Sequence, residues 1–334
     1  MAQSKNALRA LGRSGLTTGA LSLGSGTFGR EIDEEMSWRL LDYAVDQGIA
    51  LLDSAEAYGG GNSQTGRKAT YGIDDRREVT TEMYSGEKII ARWMKDRGCR
   101  DEVLICTKVS SGNSADNIRR QVQASLERLM VDRIDIYMLH DPDGEVPLDE
   151  TLEALNEQVG AGNLKTIGCS NFSAVQIREA LELSQRQGYA RFEVVEPPYS
   201  LADRHIEAEL LPLCRQEQLA TITYSPLAAG FLSGKYTPTE ERQSFPTGTR
   251  FDISPAHADV YFSDLNFRVL EQLREKAAEL DEPMVYLAMA WVLSQADLTS
   301  VLVGARTIEH IDNAIRARDE GISQALRDEM SAWA

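Results

Sequence analysis

The stretch GIALLDSAEAYGG, residues 48–60, ends an apolar run on an acid, Asp53, and places a tyrosine, Tyr58, shortly after it. The run Ile49–Leu52 is typical of a buried strand. A carboxylate at the mouth of such a strand loses its hydration, which is costly unless a cation or hydrogen-bond donors face it. We therefore expect a cation from another part of the chain to lie against Asp53.

Similar apolar runs alternate with amphipathic stretches along the chain. The predicted strands are Ala20–Leu23, Ile49–Asp53, Val103–Lys108, Ile134–His140, Thr166–Cys169, Phe192–Val195, Thr221–Tyr224 and Ser300–Val303. Helical patterns lie between them, among them 114–130 with Ser114 as its N-cap, 151–162 closing on glycines, and 203–218. Sustained alternation of strand and helix predicts parallel strands with crossover helices, which form either a doubly wound sheet or a closed barrel.

The choice between these two architectures rests on a missing motif. No G-x-G-x-x-G follows an early strand at the start of a helix, which weakens the doubly wound alternative. We predict an α/β fold with a closed barrel, and residues 1–334 as a single domain, because this length suits one large barrel. Segments 59–84 and 233–262 fit neither element and are predicted as long loops over the C-terminal face.

Composition restricts the partners. The chain has 35 Lys and Arg against 52 Asp and Glu, a net charge of −17, which argues against nucleic acid and anionic membranes. A phosphate ligand must therefore meet a local basic cluster. The cysteines Cys99, Cys106, Cys169 and Cys214 are scattered, as expected for reduced thiols in a cytoplasm. The start lacks a signal-peptide pattern and no 18-residue apolar stretch occurs, so we expect a soluble, cytoplasmic protein.

Polar residues gather where the predicted strands end. They are Asp53, Lys108, His140, Ser170 with Asn171, Glu196, and Tyr224 with Ser225. In a βα barrel the carboxyl ends of all strands share one face, which holds the active site. Lys108 is then the cation expected against Asp53, and it is expected to lower the pKa of Tyr58 from about 10. Tyr58 becomes a proton donor, and His140 can orient a carbonyl oxygen by a hydrogen bond.

Other interpretations of these residues stay open at this point. Asp53 and Lys108 also fit a structural ion pair at the rim of a barrel. A strand-end histidine is satisfied by a backbone group about as often as it is catalytic. The acids Asp141, Asp143 and Glu145 are either a solvated loop or part of a glycoside hydrolase site, with Asp53, Asp141 or Glu196 as its carboxylates; that site leaves Lys108 unexplained.

Taken in order, the motifs resemble those of the aldo-keto reductase family over nearly the whole chain. LGRSGLTTGALSLGSGTFG (11–29) is similar to the family's opening hairpin and first strand. LLDSAEAYG (51–59), VLICTKV (103–109) and IYMLHDPD (136–143) resemble the stretches that carry its catalytic tetrad, here Asp53, Tyr58, Lys108 and His140. The resemblance implies a (β/α)8 TIM barrel with an N-terminal β-hairpin, no metal, and NADP(H)-dependent interconversion of a carbonyl and an alcohol.

Four later stretches resemble the family's nicotinamide and adenosine-phosphate segments: IGCSNFS (167–173), EPPYSL (196–201), YSPLAAGFLSGKY (224–236) and VLVGARTIEHIDNA (301–314). The implied cofactor-binding residues are Ser25, Gly26, Asp53, Ser170, Asn171, Glu196, Tyr224, Ser225, Pro226, Leu227, Lys235, Arg250, Gly304, Arg306, His310 and Asn313. Ser170 and Asn171 would hold the carboxamide, and Tyr224 would stack on the nicotinamide. The pyrophosphate would be lined by Ser225, Leu227, Lys235 and Arg250. Arg306 would face the adenosine 2′-phosphate of NADP(H), with NAD(H) as the alternative cofactor.

The chain departs from the family pattern in three places. Glu196 stands where the family usually has Gln, and His310, Asn313 and Ala314 replace its usual adenine-binding residues. The loop after Tyr58 is longer than is common, which fits a bulky or sugar-like ketone or aldehyde, or a contact between subunits of a homo-oligomer. We predict an oxidoreductase acting on a small-molecule carbonyl compound or alcohol. A regulatory subunit that binds the cofactor with little turnover is the alternative.

Overall fold

The computed structural model describes residues 7–71, 78–237, 245–253 and 255–334. Its strands are β1 (Arg9–Ala10), β2 (Thr17–Thr18), β3 (Leu21–Gly24), β4 (Leu51–Asp53), β5 (Leu104–Val109), β6 (Ile134–Leu139), β7 (Leu164–Ser170), β8 (Phe192–Glu196), β9 (Ala220–Thr223) and β10 (Ser300–Gly304). Within the described residues, β3 to β10 close into a barrel of eight parallel strands, and β1 pairs with β2 as an antiparallel hairpin. The predicted TIM barrel with an N-terminal hairpin is confirmed, and each predicted strand is present with its bounds shifted by at most two residues.

The helices cover the outside of the barrel and its carboxyl face. They are α1 (Glu34–Asp46), α2 (Gly60–Tyr71), α3 (Ser85–Arg97), α4 (Ala115–Leu129), α5 (Leu148–Gly160), α6 (Ala174–Gln187), α7 (Leu210–Glu217), α8 (Arg250–Ile253), α9 (Ala256–Tyr261), α10 (Asp264–Leu280), α11 (Met284–Leu293), α12 (Ile308–Glu320) and α13 (Gln324–Ser331). Short 3-10 turns span Arg100–Glu102, His205–Glu207 and Ala228–Ser233. None of the described helices is long and apolar enough to cross a membrane.

Two helix predictions need correction. The pattern at 203–218 is interrupted: a 3-10 turn covers His205–Glu207, and α7 begins only at Leu210. Ser114 occupies the N-cap position of α4 as predicted, but its hydroxyl accepts no hydrogen bond from the first turn. Instead the Glu150 carboxylate of α5 accepts from the Ala115 N–H at 2.9 Å. The first turn of α4 is therefore capped by a carboxylate from a neighbouring helix, and not by the Ser114 hydroxyl that the sequence pattern predicts.

Both segments predicted as long loops contain helices, so that prediction is wrong for parts of each. Helix α2 lies within 59–84, and α8 and α9 lie within 233–262; residues 72–77, 238–244 and 254 fall outside the described part of the chain. Gly60 and Gly61 let α2 approach its neighbours, since a Cβ on Gly60 would meet the Thr80 carbonyl oxygen at 1.9 Å. Helix α8 is held by Phe251, which is fully buried and stacks on Tyr236 at 4.4 Å between ring centroids. Glycine content thus reflects close backbone approach here, not a loop.

A compact apolar cluster fills the barrel interior below the carboxyl face. It consists of Leu11, Leu51, Cys106, Ile136, Met138, Val194, Ala220, Ile222 and Leu302. Leu11 comes from the hairpin, where its N–H donates to the Leu16 carbonyl at 2.9 Å, and it is fully buried. Burial of a leucine of this kind contributes about 1.5–3 kcal/mol. The hairpin therefore closes the amino end of the barrel, and the carboxyl end carries the open cavity.

Candidate active site

A cavity of about 550 Å³ opens at the carboxyl ends of the barrel strands. The residues predicted from sequence that line it are Gly26, Asp53, Tyr58, His140, Ser170, Asn171, Glu196, Tyr224, Ser225, Pro226, Leu227, Lys235, Arg250, Gly304, Arg306, His310 and Asn313. The other two, Ser25 and Lys108, do not line it: Ser25 is 1% exposed and Lys108 is fully buried. The fold thus brings the candidate residues to one cavity from segments far apart in sequence.

Lys108 lies against Asp53 as expected, because β4 and β5 pair with Asp53 beside Cys106. Its Nζ donates to Asp53 Oδ1 and to the Ser54 carbonyl oxygen, the latter at 3.1 Å. A second carboxylate oxygen, Glu196 Oε1, lies 3.3 Å from the same nitrogen. Burial favours the neutral amine, but the two carboxylates outweigh it and hold the pKa of Lys108 well above its usual value. Lys108 is therefore an ammonium at neutral pH.

The pKa of Tyr58 shifts in the opposite direction to the one predicted from sequence. Burial raises it to about 12; the Lys108 ammonium lowers it as expected, but less than burial raises it, and Asp53 and Glu196 oppose the lysine. The Lys108 Nζ lies 5.6 Å from the centroid of the Tyr58 ring. Tyr58 consequently holds its proton at neutral pH, which is the state that a proton donor requires.

His140 is neutral and fixed in orientation. Burial, and then the Lys108 ammonium, lower the pKa of His140 to about 3. Its Nδ1 lies 2.7 Å from the Ser110 Oγ, and its ring meets the Tyr58 ring edge-on at 5.7 Å between centroids. Ser110 is held in turn, because its backbone N–H donates to the buried Glu56 carboxylate at 2.9 Å. The imidazole therefore stands beside the phenol as an uncharged hydrogen-bonding group.

A hydrogen-bonded rim connects the ends of four strands. Asn171 has a left-handed backbone, with φ 63°, and its side-chain amide donates to the His140 carbonyl at 3.0 Å and to Asp141 at 2.9 Å. The Tyr224 hydroxyl donates to Asn171 Oδ1 at 2.8 Å. Ser170 Oγ donates to the Glu196 backbone carbonyl at 2.8 Å. These bonds fix the polar groups that face the cavity between β6 and β9.

The cavity carries the local positive charge that an acidic chain needs for a phosphate ligand. Lys235, Arg250 and Arg306 line it, as predicted, and so does Arg30, which was not predicted. The Glu31 carboxylate lies 2.8 Å from Arg30 and 3.4 Å from Arg250. Burial, followed by repulsion from Arg30, lowers the pKa of Arg250 to about 10. A crowded set of cations of this kind is stabilised by an added anion.

The sequence profile of the aldo/keto reductase family matches residues 16–332. The chain belongs to that family. This aldo/keto reductase is therefore an oxidoreductase of a family that uses nicotinamide cofactors and acts on small molecules. That membership sets aside the glycoside hydrolase alternative.

Three relatives illustrate the range of similar proteins. An uncharacterized oxidoreductase, YrpG, of Bacillus subtilis is 32% identical over 95% of this chain and 92% of its own length. An NADH-specific methylglyoxal reductase of Escherichia coli is 33% identical over 94% of this chain and 92% of its own length. A probable voltage-gated potassium channel subunit beta of Oryza sativa is 32% identical over 92% of this chain and 90% of its own length. The aldo/keto reductase is thus similar both to enzymes and to a channel subunit.

Several residues that line the cavity were not predicted from the sequence. Thr27, Arg30 and Glu31 lie in the segment that follows β3. They could have been predicted, because the carboxyl ends of all barrel strands face the active site. Val285 and Met289 reach the cavity from α11, and no local pattern in the sequence pointed there. Their contribution depends on how a distant helix packs over the barrel.

Proposed function

We propose that this aldo/keto reductase interconverts a small-molecule carbonyl compound and its alcohol with NADP(H), with Tyr58 as the proton donor. The observation that carries the proposal is a protonated, half-buried Tyr58 that lies beside the Lys108 ammonium on a cavity lined by Lys235, Arg250 and Arg306. Proton donor and anion-binding groups share one cavity. An oxidoreductase that reduces a carbonyl needs both.

The residues of the cavity fit a nicotinamide dinucleotide phosphate. Its volume of about 550 Å³ is in the range of ligand sites, and guanidinium groups match phosphate oxygens in geometry and charge. Arg250 and Lys235 would hold the pyrophosphate, and Arg306 would hold a 2′-phosphate. Asn171 and Tyr224 would orient the nicotinamide. The bound cofactor would supply or accept the hydride.

The protein's own groups would handle the proton. Tyr58 would give its proton to the carbonyl oxygen of the substrate, and Lys108 would stabilise the phenolate that remains. Asp53 holds Lys108 in place through their ion pair. His140, with Ser110 on its Nδ1, would present its other ring nitrogen as a donor to the same carbonyl oxygen.

The substrate class and cofactor preference are part of the proposal. Helix α2 follows Tyr58 almost directly and begins the long segment between Tyr58 and α3, which fits a bulky or sugar-like aldehyde or ketone. The similar methylglyoxal reductase is NADH-specific, so NADH is the competing cofactor. We also propose a cytoplasmic location, because the cysteines are all free and buried.

A second candidate function follows from the similar channel subunit. On that account the chain binds the cofactor as a regulatory subunit and turns over little, using the same cavity. Nicotinamide absorbance, followed while aldehydes, ketones and keto-sugars are offered with NADPH or NADH, separates the two. We expect oxidation of NADPH by at least one substrate class. Tight cofactor binding with no turnover across the panel would favour the regulatory role.

A further inference from the structure

The Lys108 ammonium lies beside two carboxylates, Asp53 and Glu196, and the second one stands where the sequence resemblance implies a glutamine. Glu196 is 3% exposed, and its Oε1 lies 3.3 Å from the Lys108 Nζ that already holds Asp53. Among the described residues, carboxylate oxygens of Asp53 and Glu196 and the Cys106 Sγ all lie within 4.8 Å of one another. Two acids and one cation are therefore packed together and almost wholly buried at the base of the cavity.

The groups that face Glu196 from neighbouring elements supply no second cation within the described residues. Strand β4 contributes Asp53, and β5 contributes Lys108 and Cys106. Burial raises the pKa of the Cys106 thiol well above its ordinary value, so this group is neutral. Tyr58 and Tyr224 face the same carboxyl, and burial raises the pKa of each phenol as well. Strand β7 contributes the uncharged Ser170, whose hydroxyl donates to the Glu196 backbone.

The charge balance of this cluster decides its protonation. One ammonium neutralises one carboxylate, and a second buried carboxylate without a cation of its own is costly unless it takes up a proton. Asp53 makes the direct ion pair with Lys108, whereas Glu196 Oε2 is buried and has no hydrogen-bond partner among the described residues. The proton therefore belongs on Glu196. A glutamine at this position would carry no such proton.

We propose that Glu196 holds a proton at neutral pH beside the Lys108–Asp53 pair, and that loss of this proton makes the cavity favour oxidised over reduced nicotinamide cofactor. The second half rests on the proposed function, because it requires the cofactor to bind in this cavity. Protonated Glu196 leaves the cluster neutral, whereas ionised Glu196, its proton released to solvent, leaves one negative charge. The oxidised nicotinamide ring is a cation and the reduced ring is neutral, so that charge attracts only the oxidised form.

Glu196 is expected to lose its proton within a pH range that can be reached by experiment. Burial, and then the Asp53 carboxylate, raise the pKa of Glu196 to about 8, with Lys108 opposing them. Below this pH the preference of the cavity for the two redox forms is set by its other contacts. Above it, we expect the ratio of the two dissociation constants to move toward the oxidised form by about tenfold or more.

The proton itself can be tested in the cofactor-free protein. We expect the infrared spectrum to contain the carbonyl band of a protonated carboxyl that disappears as the pH is raised from about 6 to above about 9. The band should be absent in Glu196→Gln. Glu193→Gln is the matched control: the same strand carries Glu193, whose side chain accepts from the Arg13 backbone N–H at 2.8 Å at the hairpin. Absence of the band in the wild type, or its survival in Glu196→Gln, would overturn the assignment.

The consequence for the cofactor is tested by calorimetry. NADP⁺ and NADPH are titrated into wild type, Glu196→Gln and Glu193→Gln at both pH values, in buffers of different ionisation enthalpy. In wild type and Glu193→Gln, we expect the ratio of the NADP⁺ and NADPH affinities to change with pH. We also expect NADP⁺ binding to release a proton near the pKa of Glu196. Glu196→Gln should show neither effect. An unchanged ratio in the wild type contradicts the switch. If no protein binds either form, the proposed function fails, while the infrared result still decides the proton.

Discussion

At the scale of single residues, burial sets the protonation of the groups at the candidate site. It raises the pKa of Tyr58 to about 12 and lowers that of His140 to about 3. The sequence could indicate which side chains stand at strand ends, because apolar runs stop there. It could not indicate how deeply they are buried, so it predicted the effect of Lys108 on Tyr58 without the larger opposing effect of desolvation.

Ser110 is predicted to position His140. Ser110→Ala removes the hydroxyl on Nδ1, and the loss of one neutral hydrogen bond corresponds to roughly 2- to 10-fold in kcat/KM. Ser110→Thr keeps a hydroxyl and should restore most of the activity. Nitrogen NMR of the His140 ring should show a change in tautomer balance in the alanine variant. An unaltered ring signal together with full activity would remove Ser110 from this role.

Arg306 is predicted to supply most of any preference for the phosphorylated cofactor. Replacing it with alanine should weaken NADPH binding by roughly 10- to 100-fold, because charge-assisted hydrogen bonds are worth about 1.5–3 kcal/mol. NADH binding should change little. Arg316→Ala is the control, since this arginine lies on α12 and pairs with Glu282 at 2.8 Å. Equal losses for both cofactors in Arg306→Ala, measured by fluorescence titration, would mean that Arg306 does not read the 2′-phosphate.

At the scale of elements, the barrel strands could be predicted from the sequence, whereas helix α2 could not. Buried parallel strands are continuous apolar runs, which is why all of the barrel strands were found within two residues of their bounds. The segment that begins at Gly60 looks like a loop because it is rich in glycine, yet it forms α2. The glycine at the start of α2 allows close contact with the backbone at Thr80. A local sequence pattern does not reveal a contact of this kind.

Gly60 tests this explanation. A Cβ at Gly60 would meet the backbone oxygens of Thr80 at 1.9 Å and Gly29 at 2.2 Å, so Gly60→Ala should destabilise the protein by about 1–3 kcal/mol. Gly66 lies on the same helix with nothing within 4 Å of its Cβ position, and alanine there should be neutral or stabilising by up to about 1 kcal/mol. Denaturant unfolding measures both. Similar values for the two variants would show that the close approach at Gly60 does not matter.

At the scale of the whole molecule, a chain with an excess of acids gathers several basic side chains at one cavity. The net charge of −17 predicted that cations would have to be gathered locally for a phosphate ligand, and Lys235, Arg250 and Arg306 do line one cavity. The count of charged residues therefore shows that cations must be gathered, but it does not show which ones. Arg30, which pairs with Glu31, also reaches the cavity, and nothing in the composition distinguishes it from the other arginines.

The pH dependence of stability is a further whole-molecule prediction. The pKa of Glu196 is raised from 4.5 to about 8, so between these values the folded state binds more protons than the unfolded state. Its stabilising contribution is complete below pH 4.5 and is lost as the pH rises through about 8. The free energy of unfolding of Glu196→Gln relative to wild type should therefore increase over this range, on the order of a few kcal/mol. A pH-independent difference between the two proteins, with Glu193→Gln as control, would contradict it.

The reaction proposed for this cavity transfers a hydride from the cofactor and a proton from Tyr58 to a carbonyl group. The most direct measurement uses NADPH deuterated at its hydride-donating carbon, a panel of carbonyl compounds that includes methylglyoxal and keto-sugars, and mass spectrometry of the products. We expect an alcohol with deuterium on the former carbonyl carbon, formed about 10²–10⁴-fold more slowly by Tyr58→Phe although the variant still binds the cofactor. Cofactor binding without any deuterated alcohol, or undiminished formation by Tyr58→Phe when chemistry limits the rate, would contradict the account.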